Sequence, residues 1–186
     1  MMIQIEATPN PATLKFLPGR VLHDGAARDF DNAENAAASP LARALFGLSG
    51  VARVHLGRDF IAVTATKTAD WDALRPQISA EIAAVLAQSD DPVGPPPEMS
   101  FEAQFDAADA ETVAQIEALL ESHVKPAVAQ DGGDVSLYGF DRGIAYMRMT
   151  GACAGCPSST MTLKMGIERL LRHQIPEVLE VRPVQA

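Results

Sequence analysis

Cys153 and Cys156 are the only cysteines of the chain, and two residues separate them. Cysteines at this spacing bind soft metals as thiolates or exchange disulfides. A disulfide framework is typical instead of secreted chains with more cysteines at wider spacing. We therefore interpret Cys153 and Cys156 as a metal-binding thiolate pair, with an iron–sulfur cluster as the favoured centre.

The residues around the pair suit such a centre. Pro157 predicts the first position of a helix and so places Cys156 at the N-cap. Unpaired amides and the helix dipole stabilise a thiolate there. The neighbouring small residues leave room for a bulky inorganic group and leave backbone amides open to donate to sulfur. These small residues are Gly151, Ala152, Ala154 and Gly155.

The number of ligands points beyond one chain. A cubane iron–sulfur cluster and a closed zinc site each need four protein ligands, and the chain offers two thiolates. Histidines are poor substitutes here, because each is more commonly a solvated or packed side chain than a ligand. They are His23, His55, His123 and His173. Two copies related by a two-fold axis would supply four cysteines, so we expect a metal-bridged homodimer.

Two other interpretations of the cysteine pair stay open. A thiol–disulfide oxidoreductase also places C-x-x-C at a helix N-terminus and would work as a monomer with a functional disulfide. The βαβ unit typical of that class is missing, because a predicted hairpin precedes Cys153. A structural zinc-bridged dimer is the other interpretation, since four cysteines suit zinc as well as an iron–sulfur centre.

The composition of the chain limits the kinds of partner that we expect. The formal net charge is −9 and no basic run is present, so we expect no nucleic-acid partner. No stretch approaches the roughly 18 uninterrupted apolar residues of a membrane span, so we expect no membrane insertion. The N-terminus has neither the basic region nor the apolar core of a signal peptide.

The predicted fold class is α+β, with two small domains that each combine a small sheet with helices. We place the first domain at residues 1–88, an acidic Pro-rich linker at 89–108 and the second domain at 109–186. The linker segment holds five acidic residues, no basic residue and four prolines, a composition that favours an extended spacer.

The first domain shows both strand and helix patterns. Alternating apolar residues predict strands near 3–7 and 13–17, and a hairpin of 51–56 with 60–66. A short helix should begin at Ser39-Pro40 and end near Gly47 or Gly50. Asp70 should cap a second helix with a single apolar stripe, formed by Trp71, Leu74, Ile78, Ile82 and Val85.

The second domain is predicted to begin with a helix capped by Asp109, which Pro126 kinks or restarts. Its apolar face holds Val113, Ile116, Leu120 and Val124. Gly132 and Gly133 should supply positive φ where this helix ends. A hairpin of 135–140 with 144–150 should follow.

The cysteine loop should lead into a helix from Pro157 to about His173 and then a strand over 178–184. The intervening helix allows this strand to lie parallel to a hairpin strand. Met161 and Met165 lie off the core stripe of the helix. We interpret them as additional core, with contact to a partner as the alternative.

Motifs in both halves resemble one known family. In the second half they are Lys125-Pro126, Asp131-Gly-Gly-Asp134, Gly151-Ala-Cys-Ala-Gly-Cys-Pro-Ser-Ser-Thr160 and Leu163-Lys-Met-Gly-Ile-Glu168. They closely resemble the Nfu-type, or NifU C-terminal-like, iron–sulfur cluster scaffold proteins. The first half resembles the N-terminal domain of the mitochondrial and related bacterial members. Its motifs are Glu6-Ala-Thr-Pro-Asn-Pro11, Leu14-Lys-Phe-Leu-Pro18, Ser39-Pro-Leu-Ala42 and Asp59-Phe60.

The resemblance implies a cluster carrier and not an enzyme, with no catalytic residues. It implies a labile [4Fe-4S] cluster shared between two subunits, with Cys153 and Cys156 of each as ligands. The partners it implies are an upstream cluster donor and apo iron–sulfur client proteins, with a homodimer in the loaded state. Because an Arg-rich, Ser-rich leader is missing, the chain resembles a bacterial cytoplasmic protein or a processed organellar matrix protein.

Overall fold

The structure, a computed structural model, describes residues 2–95, 104–154 and 157–184. It divides into two compact units, residues 1–99 and 100–186, and each unit has its own hydrophobic core. Each contains one sheet with helices, which confirms the predicted α+β class. None of the helices in the described ranges is both long and apolar enough to cross a membrane.

The sheet of unit 1 has five antiparallel strands in the order β1-β2-β5-β4-β3. The strands are β1 (Gln4–Ala7), β2 (Thr13–Leu17), β3 (Arg28–Phe30), β4 (Val51–Leu56) and β5 (Ile61–Ala65). The predicted strands near 3–7 and 13–17 and the predicted hairpin are confirmed. Strand β3 was not predicted, because three residues are too short to show an alternating pattern.

The helices of unit 1 begin where their caps predict. Ser39 accepts a hydrogen bond from the amide of Ala42 at the start of α1 (Pro40–Phe46). Asp70 accepts one from the amide of Asp72 at the start of α2 (Trp71–Gln88). The buried stripe of α2 is Leu74, Ile78, Ile82 and Leu86. Trp71 and Val85, the other two residues of the predicted stripe, are partly buried and pack against the core of unit 1, and Leu86 is a buried position that was not predicted.

Both ends of the segment predicted as a linker belong to the units. In unit 1, the carbonyl of Pro92 accepts from the amide of Leu41 at 2.9 Å, and Val93 is fully buried. This stretch therefore differs from the extended spacer that its prolines suggest, because burial of Val93 holds it against α1. In unit 2, strand β6 (Gln104–Phe105) pairs with the second sheet. Residues 96–103 lie outside the described part.

The sheet of unit 2 has the strand order β6-β7-β8-β9. Strands β7 (Gly133–Asp141) and β8 (Ile144–Gly151) form the predicted hairpin. Its two turn residues, Arg142 and Gly143, have φ of 48° and 80°, the combination that a type I′ turn requires. Strand β9 (Glu180–Val184) runs parallel to β8, as predicted.

Three helices build the rest of unit 2, namely α3 (Ala110–Leu119), α4 (Lys125–Gln130) and α5 (Pro157–Gln174). A π-helical turn (Leu120–Val124) joins α3 to α4, and Pro126 lies in the first turn of α4, so the predicted restart is confirmed. The predicted cap at Asp109 was wrong. Its side chain makes no capping bond, and Asp106 instead caps a preceding 3-10 turn (Ala107–Asp109). The predicted apolar face is buried: Val113, Ile116, Leu120 and Val124.

Candidate metal centre

Cys153 lies in the loop between β8 and α5. Gly151 ends β8 with a φ of 64°, and α5 begins six residues later at Pro157. The positive φ turns the chain out of the strand, which is a conformation that favours glycine. Cys156, the second predicted ligand, lies outside the described residues. The structure therefore places one of the two predicted site residues, at a strand end where the backbone is held by the sheet.

Gly133 faces the sulfur of Cys153 across the sheet. The hairpin register pairs Gly133 with Gly151, and the amide of Ala152 donates to the carbonyl of Gly132 at 3.1 Å. A Cβ atom built on Gly133 would lie 2.5 Å from Sγ of Cys153. The two glycines therefore serve different needs. The predicted positive φ is confirmed at Gly132 (77°) and was wrong at Gly133, whose φ lies outside the left-handed region. Gly133 instead leaves space for the sulfur.

Two further hydrogen bonds shape the loop. The amide of Ala154 donates to the carbonyl of Gly151 at 3.1 Å, and Oγ1 of Thr160 donates to the carbonyl of Cys153 at 3.0 Å. The amides of Ala152 and Ala154 thus bond to carbonyls, which corrects the expectation that they are open to donate to sulfur. Sequence reasoning gave the hydroxyl of Thr160 only a helix-capping role and missed its bond to the carbonyl of Cys153. Its signal is a hydroxyl side chain in the first turn of a helix, where it can reach back to the preceding loop.

The Cys153 side chain is buried, with 7% of its surface exposed, and it packs with the apolar core of unit 2. Its neighbours in sequence and on the paired strand, Gly133, Gly151 and Ala152, are small residues. A thiol is a soft donor that suits zinc or an iron–sulfur centre. Among the described residues Cys153 is a thiol outside any disulfide, so its donor type fits such a group.

The histidines do not complete a site with Cys153. Across residues 2–95, 104–154 and 157–184, no three side chains of the ligating types His, Cys, Asp and Glu lie close enough to hold a metal together. His55 is buried in unit 1 with Nδ1 3.2 Å from Oδ1 of Asp29. His123 and His173 are exposed, and Nδ1 of His123 lies 2.7 Å from the hydroxyl of Ser122.

An ion pair that shifts a carboxyl pKa in unit 2 lies at the end of the sheet away from the cysteine loop. Arg182 donates two hydrogen bonds to Glu180, at 2.9 and 3.0 Å, and so lowers the pKa of that carboxyl. Glu180 pairs with Ile144 next to the hairpin turn, whereas the cysteine loop follows Gly151 at the opposite end of β8. This exposed ion pair within β9 is therefore remote from the thiol of Cys153 and does not act on it.

Met161 and Met165 are exposed, with 61% and 65% of their surfaces accessible. The interpretation of these methionines as additional core was therefore wrong. The core side of α5 is formed by Ile167 and Leu171, with Leu163 and Leu170 partly buried beside them. The helical periodicity correctly separates the core side of α5 from the side that carries Met161 and Met165. It does not show whether another helix or strand covers the methionine side.

Comparison with known proteins identifies both halves of the chain. Residues 3–89 match the family described as scaffold protein Nfu/NifU N terminal, and residues 116–182 match the NifU-like domain. The chain belongs to the Nfu-type family of NifU-like proteins. In this Nfu-type chain the second match contains the β7–β8 hairpin, both cysteines and α5.

Curated relatives share both halves. NifU-like protein 4, mitochondrial, from Arabidopsis thaliana is 43% identical over an alignment of 188 positions that covers 96% of this chain and 64% of that protein. NFU1 iron-sulfur cluster scaffold homolog, mitochondrial, from Drosophila sechellia is 40% identical over 185 residues, which cover 99% of this chain and 65% of that protein. The Nfu-type chain thus spans just under two thirds of the length of these relatives.

A solved structure of a NifU-like protein from Saccharomyces cerevisiae is also similar to this Nfu-type chain. It is 26% identical, covers 50% of this chain and 84% of that one, and has a TM-score of 0.46.

Proposed function

We propose that this Nfu-type chain is an iron–sulfur cluster carrier and not an enzyme. In this proposal Cys153 and Cys156 of two copies hold one labile [4Fe-4S] cluster, which is received from an upstream donor and passed to apo iron–sulfur proteins. The relatives named as iron–sulfur cluster scaffolds support the general role. Neither nucleic acid nor membrane takes part. Because the relatives named here are mitochondrial proteins, the organellar matrix is one proposed location and the bacterial cytoplasm the other.

The observation that carries the proposal is the position of Cys153. The thiol stands at the end of β8, beside a glycine that leaves space for it, and no complete ligand group lies nearby in the described residues. Such a thiol can complete a tetrahedral centre only with ligands from elsewhere. The sequence offers Cys156 and the same pair in a second copy.

Transfer follows from ligand exchange between thiolates. An incoming acceptor thiolate binds iron as a carrier thiolate leaves it, so the number of ligands on each iron is conserved and no electron moves. Sharing the cluster between two copies means that each copy holds it through only two sulfurs. The cluster can then pass in steps, with one pair of carrier ligands replaced at a time.

Anaerobic reconstitution tests the proposal. We expect the loaded protein to contain about four iron and four sulfide per two chains and to have the mass of a dimer. Cys153→Ala and Cys156→Ala should each abolish cluster binding and the activation of an apo-enzyme, while thermal unfolding shows that the variants still fold. A monomer that cycles a Cys153–Cys156 disulfide would favour an oxidoreductase. Stoichiometric zinc, with no rebuilt cluster, would favour the zinc-bridged dimer.

A further inference from the structure

The first turns of α5 carry an exposed strip that we call the methionine face, formed by Met161, Thr162, Met165 and Gly166. All four residues are exposed. Met161 and Met165 are four residues apart and so lie one above the other on the helix surface. A Cβ atom built on Gly166 would meet no atom within 4 Å. Flexible methionines beside a glycine form a surface to which another helix can come close.

The methionine face carries no charge, although the chain as a whole has a net charge of −9. Residues 157–163 include no acidic or basic side chain. Nζ of Lys164 lies 3.9 Å from Oε2 of Glu168, and the same carboxyl accepts from the amide of Val181 at 3.0 Å. Arg169 bounds the face on the next turn. Two acidic chains can therefore meet here without bringing their carboxylates together.

The methionine face is also continuous with the cysteine loop. Thr160 bonds to the carbonyl of Cys153, and Met161 is the next residue. Helix α5 begins at Pro157, so Met161 and Met165 lie about 6 and 12 Å along the helix from its first residue. A second molecule that shares a metal centre with the cysteine loop would therefore come close to this face.

We propose that the methionine face of one copy packs against the same face of a second copy when the two share a metal centre. This inference rests on the proposed function, because one chain supplies only half of the four ligands. A two-fold axis through the centre pairs identical surfaces, so an uncharged apolar strip meets its own copy. The second copy, and not an acceptor protein, is then the molecule that covers Met161 and Met165.

The size of the face limits what it does alone. A stable protein interface covers about 800 Å² on each partner, several times more than two methionines and their small neighbours provide. The metal-free chain should therefore stay monomeric at micromolar concentration. Metal–thiolate bonds join the copies, and the methionine face then slows their separation.

The test compares full-length variants loaded with cluster under anaerobic conditions. The double variant Met161→Lys/Met165→Lys places positive charges on the methionine face of both copies, and these like charges would face each other across the two-fold axis. We expect loss of the cluster to a chelator to become about tenfold faster, and the dimer seen by sedimentation to dissociate at about tenfold higher concentration. Met165→Leu should behave as the parent protein. Met2→Lys makes the same exchange at an exposed methionine of unit 1 and should change neither measurement.

The outcomes separate this inference from the proposed function. If the parent protein loads a cluster as a dimer and the double lysine variant is unchanged in mass and in cluster loss, the methionine face is not the interface. If the variant keeps its dimer but passes the cluster more slowly to an apo-protein, an acceptor covers the face instead, and the inference fails. If the parent protein binds no cluster, the proposed function fails and this inference with it.

Discussion

At the scale of single residues, Gly133 is the neighbour that the Cys153 sulfur requires. Its φ is not in the left-handed region, so alanine brings no backbone strain, but the added Cβ would lie 2.5 Å from Sγ. We expect Gly133→Ala to lower the free energy of unfolding of unit 2 by about 1–3 kcal/mol, because the sulfur or the strand must shift. Cluster content after reconstitution should fall as well. Thermal unfolding and iron analysis measure the two effects.

Gly25→Ala is the matched control for that substitution. It makes the same change in unit 1, where the added Cβ would lie at ordinary contact distances of 3.6 and 3.8 Å from side-chain atoms of His23 and Arg28. This variant should change neither the stability of unit 2 nor the cluster content. Equal behaviour of the two variants would show that the contact at Gly133 does not constrain Cys153.

The sequence predicts the candidate ligands, but it does not predict their contacts. The cysteines and their small neighbours form a local pattern, which is why the sequence alone proposes Cys153 as a ligand. The role of Gly133 depends on a hairpin register that joins it to Gly151, and a bulge between Leu137 and Gly139 shifts that register by one residue. No spacing in the sequence shows a bulge of this kind.

At the scale of elements, α5 is tied to the cysteine loop by the hydroxyl of Thr160. Thr160→Val keeps the branched shape and removes the donor to the carbonyl of Cys153. We expect the free energy of unfolding to fall by about 1 kcal/mol and the chelator to remove the cluster faster, because the loop loses its bond to the helix. Thr160→Ser retains the hydroxyl and should restore both values. A valine variant with unchanged cluster loss would show that this bond does not hold the loop.

The elements that were predicted correctly have strong, local signals. Helix α2 has a cap residue and a repeating apolar stripe, and the β7–β8 hairpin has a turn flanked by alternating residues. Strands β3 and β6 have three and two residues, and only pairing with neighbouring strands defines them. The error at Asp109 has a similar cause, since Asp106 and Asp109 are both good caps and the 3-10 turn between them decides which side chain is used.

At the scale of the whole molecule, the two separate cores predict separate responses to a core substitution. Ile78 in unit 1 and Ile116 in unit 2 are both fully buried. Replacing either by alanine should lower the free energy of unfolding of its own unit by about 2–5 kcal/mol. Only Ile116→Ala should reduce the iron retained after reconstitution, because the cysteine loop belongs to that core.

Circular dichroism during heating and iron analysis of the same samples check this pair of variants. If Ile78→Ala also lowers the retained iron, to the extent seen in Ile116→Ala, cluster retention does not depend on the core of unit 2 alone. The composition of the sequence predicts two domains and the segment between them. It does not show that residues 91–94 belong to unit 1. That depends on the burial of Val93 against α1.

The aromatic residues give each unit its own natural chromophore. Trp71 is the single tryptophan, and it packs on the core of unit 1 at the start of α2. The two tyrosines, Tyr138 and Tyr146, lie on neighbouring strands of the other sheet. Indole emission is thus a signal from unit 1, and the phenols lie in unit 2. Without any added label, tryptophan fluorescence therefore follows the half of the protein that contains no cysteine.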